Sequence, residues 1–280
     1  MKDMVLFFFS GSGNSYVAAQ EIQNRFPMSE LVSISAAIKS HEYKVKAKAV
    51  GFIFPCHGYT IPIPVKRFIE KLEFKKTRYI FAVATRGGTE FTGFDLICKI
   101  LKHKNKKLSS AFIIDMPCSD PALGEFKVPT YKQVEAFHAD MRTKIDIIED
   151  TVKNAETYMD ETYGERISKS PAVNSFMEKL VSFSMHNIAP KTRKYFYATA
   201  DCIGCGLCAK ICPSGKISIK DDMPEWSKKT DCYMCYACIN FCPIECIQIY
   251  DKIYMKSYTT LNGRYHHPHI TAQDMIFIDK

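Results

Sequence analysis

The sequence predicts a two-part α/β chain, in which an open parallel sheet covered by helices on both faces is followed by a small α+β domain. Two observations predict this class. Apolar runs typical of buried parallel strands alternate with helical segments across residues 1–115. A group of four regularly spaced cysteines then occurs twice between residues 202 and 242. The 280 residues, of which 46% are hydrophobic, suffice for one full domain and one small domain.

The first part contains five predicted strands with helices between them, the arrangement of a doubly wound sheet. The strands are predicted at residues 5–9, 31–34, 49–54, 79–84 and 110–115, and the helices at 16–25, 65–72 and 94–103.

A longer helix is predicted at residues 131–163, which contain no Pro or Gly. Apolar residues recur there every three or four positions, which indicates an amphipathic last helix of the first domain. They are Val134, Phe137, Met141, Ile145, Ile148 and Val152. A proline-rich loop at 117–129 precedes this helix, and a second helical stretch at 173–186 follows it. The predicted boundaries are 1–165 for the first domain, 166–195 for a helical linker, and 196–280 for the second domain with its tail.

The loop after the first strand has the composition of a phosphate site: Ser10, Gly11, Ser12, Gly13, Asn14 and Ser15. It places hydroxyls and glycines at the N-terminus of a helix, where backbone amides and the helix dipole favour an anion. Tyr16 stands where the dinucleotide fingerprint requires glycine, and Asn14 stands where the nucleoside-triphosphate loop requires lysine. The loop has the S-x-S-G-x-S form found in flavodoxins, which predicts FMN. The alternative is a helix cap without a ligand.

Two further loops leave the same edge of the predicted sheet, where the ligands of such sheets bind. A flat flavin ring requires an aromatic wall, for which Tyr59 and His57 are candidates, and backbone that allows close approach. Arg86 is predicted to lie near the pyrimidine edge of the ring and to stabilise its anionic reduced form; a surface arginine is the alternative. The predicted ring-binding residues are Pro55, Cys56, His57, Gly58, Tyr59, Thr85, Arg86, Gly87 and Gly88.

The repeated cysteine group reads C-x2-C-x2-C-x3-C-P in both copies, the run with which bacterial ferredoxins hold cubane clusters. In two-cluster ferredoxins the fourth cysteine of a run binds the other cluster. We therefore predict two [4Fe–4S] clusters with exchanged fourth ligands. The first cysteine set is Cys202, Cys205, Cys208 and Cys242, and the second cysteine set is Cys212, Cys232, Cys235 and Cys238.

Zinc and disulfides are the alternatives for these cysteines. Structural zinc sites use pairs of ligands, so the third cysteine of each run would lack a role. The sequence also begins without a signal-peptide pattern. The remaining thiols are predicted to be buried core residues, with Cys56 nearest to the cofactor; they are Cys56, Cys98, Cys118 and Cys246. The tract of His266, His267 and His269 is not predicted to bind metal.

The formal net charge of +8 resembles that of a nucleic-acid-binding protein. Two oxidised clusters contribute about −4 and a flavin phosphate contributes about −2, which leaves a loaded protein near about +2. The lysine-rich segment 102–107 is then a solvated helix end or a docking patch for an acidic partner, and no nucleic-acid module is recognisable. No apolar run approaches the roughly 18 residues of a membrane span, so we expect a cytoplasmic protein without a membrane anchor.

Together these motifs resemble a protein family, found in anaerobes, in which a flavodoxin-like domain is fused to a C-terminal two-cluster ferredoxin of the bacterial type. FFFSGSGNS is similar to the FSGTGNS opening of that family, and residues 263–268 resemble its tail. The family often has an aromatic residue where Cys56 and His57 stand. The resemblance covers nearly the full chain and implies a flavodoxin-like five-stranded sheet, FMN and two [4Fe–4S] clusters.

These predictions indicate an electron-transfer protein that passes electrons between FMN and the clusters and on to a redox protein partner. One alternative is a flavin-dependent reductase of a small substrate, with electrons fed through the clusters, and another is a redox sensor. No general acid, base or nucleophile stands out, so no catalytic residue is predicted and the cofactors carry the chemistry. The sequence does not predict the oligomeric state.

Overall fold

The computed structural model describes residues 2–122, 126–163, 176, 179–191, 195–250 and 258–278. In these residues the first domain holds one sheet of seven strands. The strands are β1 (Lys2–Phe8), β2 (Ser29–Ser33), β3 (Lys44–Pro55), β4 (Glu73–Lys75), β5 (Tyr79–Arg86), β6 (Ser110–Asp115) and β7 (Tyr158–Met159).

The five predicted strands pair in the order β2-β1-β3-β5-β6, and every pairing among them is parallel. This is the strand order of the flavodoxin-like fold, which confirms the predicted fold class. Two short parallel strands, β4 beside β3 and β7 beside β6, were not predicted. Each is at most three residues long, too short for a recognisable apolar pattern.

Alternation along the strands builds a core on each face of the sheet, because successive side chains point to opposite sides. In β1, Val5 and Phe7 pack on one face and Leu6 and Phe8 on the other. The helices that cover these faces are α1 (Asn14–Arg25), α2 (Ile34–Lys39), α3 (Ile63–Lys71), α4 (Phe94–Lys102) and α5 (Tyr131–Lys153).

The prediction that the last helix continues to residue 163 was wrong, because α5 ends at Lys153. Ala155 has a φ of 53°, a left-handed conformation that stops the helix. The chain then returns to the sheet, where the Tyr158 ring stacks on Phe112 with centroids 4.9 Å apart. Five of the six predicted apolar positions of α5 are buried. The sixth, Phe137, is half-buried, and the neighbouring His138 is buried instead.

The second domain is built from two short antiparallel pairs and small helices. The elements are β8 (Phe196–Ala198), α6 (Leu207–Ile211), β9 (Ile217–Lys220), β10 (Met223–Trp226), α7 (Ala237–Asn240), β11 (Ile247–Ile249) and the C-terminal α8 (Ala272–Ile278). Strand β8 pairs with β11, and β9 pairs with β10. Each cysteine run lies in a loop that leads into a short helix, α6 or α7.

The predicted linker 166–195 falls partly outside the described residues, since 164–175, 177–178 and 192–194 are not described. Its described part is helical at 179–183 and continues as a π-helical turn, Ser184–Ile188. The predicted domain boundaries stay a prediction. Among the described residues, no helix has both the length and the apolar character that a bilayer crossing requires.

Candidate functional site

A cavity of about 600 Å³ lies at the carboxyl edge of the sheet, between the two domains. This volume is within the usual range of small-molecule and cofactor sites. Most of the residues predicted to bind FMN line it: Ser10, Gly11, Ser12, Asn14, Pro55, Cys56, His57, Gly58, Tyr59, Thr85, Arg86 and Gly87. The other three, Gly13, Ser15 and Gly88, do not line it, and the binding roles of the whole set stay predictions.

The phosphate loop is held in shape by its own serines and glycines. Gly13 caps α1 with a φ of 96°, and its N–H donates to the Ser10 hydroxyl at 3.0 Å. Ser15 is buried and its hydroxyl lies 2.7 Å from that of Thr85, so it ties α1 to the end of β5 instead of facing the cavity. The loop therefore presents Ser10, Ser12 and backbone amides at a helix N-terminus, where an anion is favoured.

The loop after β3 is a tight two-residue turn. The N–H of His57 donates to the Thr60 carbonyl at 3.0 Å, and the N–H of Thr60 donates back at 3.2 Å. Gly58 and Tyr59 both have positive φ, 54° and 65°, as a type I′ turn requires. A left-handed conformation is uncommon for a side chain as large as Tyr59, and such strain is concentrated at functional sites.

His57 lines the cavity as a neutral side chain. Burial, reinforced by the nearby His186, lowers the pKa of His57 to about 4. Its Nδ1 atom is buried and has no hydrogen-bond partner in the described residues. An unpaired polar atom in a cavity wall is the kind of group that a bound ligand satisfies, which fits the predicted contact with the flavin ring.

Arg86 is buried at the end of β5 instead of lying on the surface. Its Nε donates to the Asp115 carboxylate at 2.7 Å, and Asp115 is exposed. The positive charge at this edge of the cavity is thus partly balanced within the protein. Stabilisation of an anionic reduced ring by Arg86 stays a prediction.

The structure gathers each predicted cysteine set around its own small cavity. Cys202, Cys205, Cys208 and Cys242 line one of them. Cys212, Cys232, Cys235 and Cys238 line the other. Four thiols of this kind are the donor set that an iron–sulfur cluster uses, so the residues present fit the predicted clusters. Their roles as ligands stay predictions.

The predicted ligand thiols of each set also lie close enough to influence one another's pKa values. Burial raises the pKa of Cys208 to about 11, and Cys205, Cys242 and Cys202 add to the effect. Burial likewise raises the pKa of Cys232 to about 11, with Cys212 among the neighbours that contribute. Gly204 and Gly206 have φ values of 66° and 73°, so the first ligand loop turns where side chains are disfavoured.

The second cysteine set touches the phosphate loop. A Cβ atom built on Gly11 would lie only 2.2 Å from the carbonyl oxygen of Cys235. Cys235 and its neighbours Met234 and Tyr236 also line the large cavity. The cavity and the second cysteine set therefore share a wall.

Several cavity residues were missed by sequence reasoning, because they come from distant segments without a motif. The linker contributes Leu180, Val181, Ser184, Met185 and Ala189, and the proline-rich loop contributes Pro117, Cys118, Ser119, Asp120 and Ala122. Tyr195, at the end of the linker, and Tyr236 of the second domain also line the cavity. The linker is attached where the Nε2 atom of His186 lies 2.9 Å from the Ile61 carbonyl. Of the extra thiols, Cys56 and Cys118 line the cavity, Cys98 is exposed and Cys246 is buried 3.5 Å from the Cys242 sulfur.

The C-terminal tail, residues 258–278, runs from the second domain back onto the phosphate loop. The N–H of His267 donates to the Ser12 carbonyl at 2.8 Å, and the Tyr265 hydroxyl donates to Asn14 at 3.2 Å. His267 is fully buried, and its ring lies against His138 with the two Nε2 atoms 2.7 Å apart.

Residues 194–243 match the family model of a 4Fe–4S dicluster domain. No curated protein matches the chain. Among solved structures, the chain is similar to an NAD(P)H:quinone oxidoreductase from Methanothermobacter marburgensis, with 11% identity and a TM-score of 0.38 over 55% of this chain and 98% of that one. A Fusobacterium nucleatum flavodoxin bound to flavin mononucleotide has 12% identity and a TM-score of 0.36, over 54% of this chain and 98% of that one.

The rubredoxin oxygen:oxidoreductase of Desulfovibrio gigas is also similar, with 17% identity and a TM-score of 0.33. That similarity covers 54% of this chain but only 37% of the other protein. The strand order characterises the first domain, and the family match characterises the second. The chain combines a flavodoxin-like domain with a C-terminal iron–sulfur domain of the dicluster type, as the sequence predicted.

Proposed function

We propose that this protein transfers electrons between FMN in the large cavity and two [4Fe–4S] clusters in the cysteine sets. The phosphate of FMN would bind Ser10, Ser12 and the amides at the start of α1, and the ring would lie against the 57–60 turn. When bound, FMN exchanges electrons singly or in pairs, whereas each cluster carries one. The protein would then connect single-electron and pair-electron chemistry.

The observation that carries this proposal is the contact between Gly11 and Cys235. A Cβ atom at Gly11 would lie 2.2 Å from the carbonyl oxygen of Cys235, so no side chain fits between the phosphate loop and this predicted cluster ligand. The cluster in the second cysteine set is therefore the one next to FMN. The cluster in the first set is the outer one.

The outer cluster site is partly exposed to solvent. Cys205 is exposed, and Ile203 beside it is 66% exposed. Five exposed acidic residues lie on the ligand loops or on the neighbouring hairpin of β9 and β10, of which Asp222 contacts Gly204, and the exposed Lys210 follows Cys208; the acidic residues are Asp201, Asp221, Asp222, Glu225 and Glu245. Lys220 is also exposed there, within 4.0 Å of Glu225. An apolar centre with an acidic rim suits a redox protein whose docking surface carries basic residues, and we propose that electrons enter here.

The location we propose is the cytoplasm. All twelve cysteines lie within the described residues, and none of them forms a disulfide there. Free thiols and thiolate-bound clusters are typical of reducing compartments.

The test is anaerobic purification with iron, sulfide and flavin quantified per chain, followed by reductive titration. About eight iron atoms and one FMN per chain are expected. Cys235→Ser and Cys205→Ser, which each remove one ligand, distinguish the two clusters. Flavin reduction by an external one-electron donor should slow in both, but the Cys235 variant should also alter the flavin spectrum. Eight iron atoms without flavin, even after FMN is added, would overturn the flavin half of the proposal.

A flavin-dependent reductase is the second candidate, because the cavity contains a carboxyl group that simple electron transfer does not require. That group is Asp120.

A further inference from the structure

Asp120 lies in the wall of the large cavity, on the loop that joins β6 to α5. Its Oδ1 accepts the N–H of Ala122 at 2.9 Å. The side chain of Tyr236 lies close enough to the same carboxyl group to influence its pKa, and its hydroxyl lies 2.8 Å from the hydroxyl of Tyr195. All three side chains line the cavity together with the residues predicted to hold the flavin ring. Neither the phosphate loop nor the electron route uses them.

The backbone that carries Asp120 is held rigidly. Three amide side chains donate to alternate carbonyls of this loop: Asn14 to Pro117 at 2.8 Å, Asn240 to Ser119 at 2.8 Å, and Asn262 to Pro121 at 2.9 Å. These asparagines come from the phosphate loop, the second domain and the tail. A carboxyl group on a backbone that is anchored from three directions has a fixed point of attachment, as a preorganised catalytic group requires.

The surroundings of Asp120 favour its protonated form. The cavity wall near it is largely apolar, with Met116, Ala122, Ala189 and Met234 among its residues. Burial raises the pKa of Asp120 to about 6, although the hydrogen bonds from Ala122 and Tyr236 oppose the shift. A carboxyl group whose pKa is raised toward neutral pH can give up its proton during a reaction and take it back from water, which suits general acid catalysis.

We propose that Asp120 is the proton donor of a reductase activity in this cavity, and that the substrate is a small, neutral α,β-unsaturated carbonyl compound. The inference rests on the proposed function, because reduced FMN must supply the hydride. Tyr236, supported by Tyr195, is a positioning residue that orients the carboxyl group.

The reaction balances as follows. The β-carbon of the substrate accepts a hydride from reduced FMN, the carbon–carbon π bond breaks, and its electron pair moves to the α-carbon. The α-carbon then takes the proton of Asp120, which leaves the saturated carbonyl product, oxidised FMN and the Asp120 carboxylate. Two electrons from an external one-electron reductant, passed singly through the clusters, restore the flavin, and water supplies the protons taken up by the flavin and Asp120.

The charge of the cavity argues for a neutral substrate. Among the described residues that line it, the strongly basic side chain is Arg86, which is ion-paired with Asp115. The phosphate loop is the other anion-binding feature, and FMN occupies it in the proposed function. An anionic substrate would thus lack a dedicated counter-charge, whereas a compound that needs one hydride and one proton matches both donors.

The experiment uses the full chain loaded with FMN and clusters, reduced anaerobically and mixed with 2-cyclohexen-1-one in a stopped-flow instrument. Asp120→Asn should slow reoxidation by the enone by about 10²–10⁴-fold, the usual contribution of a general acid. Reoxidation by ferricyanide, which takes electrons without protons, should be unchanged. Asp120→Glu should recover part of the enone rate, and Asp146→Asn, a carboxylate change on the exposed face of α5, should match wild type.

A second readout does not depend on turnover. Infrared difference spectra of the oxidised protein should contain a protonated-carboxyl band that titrates near pH 6 and is missing from Asp120→Asn. FMN and iron contents of this variant should equal those of wild type.

Three results would overturn the inference while leaving the proposed function intact: a loaded wild type that does not reduce the enone, an Asp120→Asn variant with the wild-type enone rate, or equal losses with both acceptors. A wild type that binds no FMN would instead overturn the proposed function itself.

Discussion

The contact between Gly11 and Cys235 makes a specific prediction for Gly11→Ala. The new methyl group would meet the Cys235 carbonyl oxygen at 2.2 Å, and the Cβ and carbonyl carbon of the same residue at 2.9 and 3.0 Å. Ordinary contacts begin at 3.4 Å, so the two backbones must separate by about 1.2 Å. Backbone atoms on both sides cannot rotate away as a flexible side chain would.

Overpacking of this kind costs about 1–3 kcal/mol of the free energy of unfolding. The displacement also falls between the phosphate loop and a predicted ligand of the inner cluster. We therefore expect Gly11→Ala to lower stability and to slow electron transfer from the clusters to FMN. Thermal unfolding measures the first effect, and stopped-flow reduction of the flavin by a one-electron donor measures the second.

Gly88→Ala is the matched control, because it makes the same chemical change in a neighbouring loop, at a predicted ring-binding position that does not line the cavity. A Cβ at Gly88 would meet nothing within 4 Å, but its φ is 77°. Alanine in that left-handed conformation costs about 1–2 kcal/mol, so the two variants should lose similar stability. Only Gly11→Ala should slow flavin reduction. Wild-type stability and rate in Gly11→Ala, or an equal slowing in both variants, would refute the reasoning.

Three further predictions concern buried and strained groups. Asp160→Asn should cost about 1–3 kcal/mol in urea unfolding, because the buried Asp160 carboxylate accepts hydrogen bonds from Lys144 at 2.9 Å and from the N–H of Ile113 at 3.0 Å; a loss below about 0.5 kcal/mol would contradict this. Burial lowers the pKa of His267 to about 3, so the unfolded chain binds more protons below pH 6.5 and stability falls as pH falls. Wild type should lose about 2 kcal/mol more than His267→Asn between pH 8 and pH 5, and identical pH profiles would count against it. Tyr59→Gly should raise stability by about 1 kcal/mol by relieving its left-handed strain, while FMN titration should reveal weaker binding if Tyr59 forms the ring wall.

The sequence predicted most of the fold because its signals are local. Each of the five main strands is an apolar run, and the strand at 110–115 was placed at its observed bounds. The cysteine spacing likewise predicted which cysteines lie together, since Cys242 lines the same cavity as Cys202 and Cys212 the same one as Cys235, while their roles as ligands stay predictions.

What the sequence did not indicate depends on contacts between distant segments. Asp120 sits in a proline-rich loop with no motif, and its environment is set by tyrosines more than seventy residues away along the chain. His138 occupies an apolar position of α5 because it meets His267. Such contacts cannot be inferred from one sequence, because neither residue belongs to a periodic or regularly spaced pattern that would indicate the other.

The tail bears on how the protein is made. The hydrogen bond from Tyr265 to Asn14 joins residues 251 positions apart. During synthesis Asn14 of the phosphate loop therefore emerges 251 residues before the tail residue that contacts it. The predicted cofactor site of the first domain thus lacks these contacts until the tail has been made, so the proposed flavin would be held by the complete site only after that point. For the same reason the flavodoxin-like half, expressed alone, would lack the tail contacts to its phosphate loop.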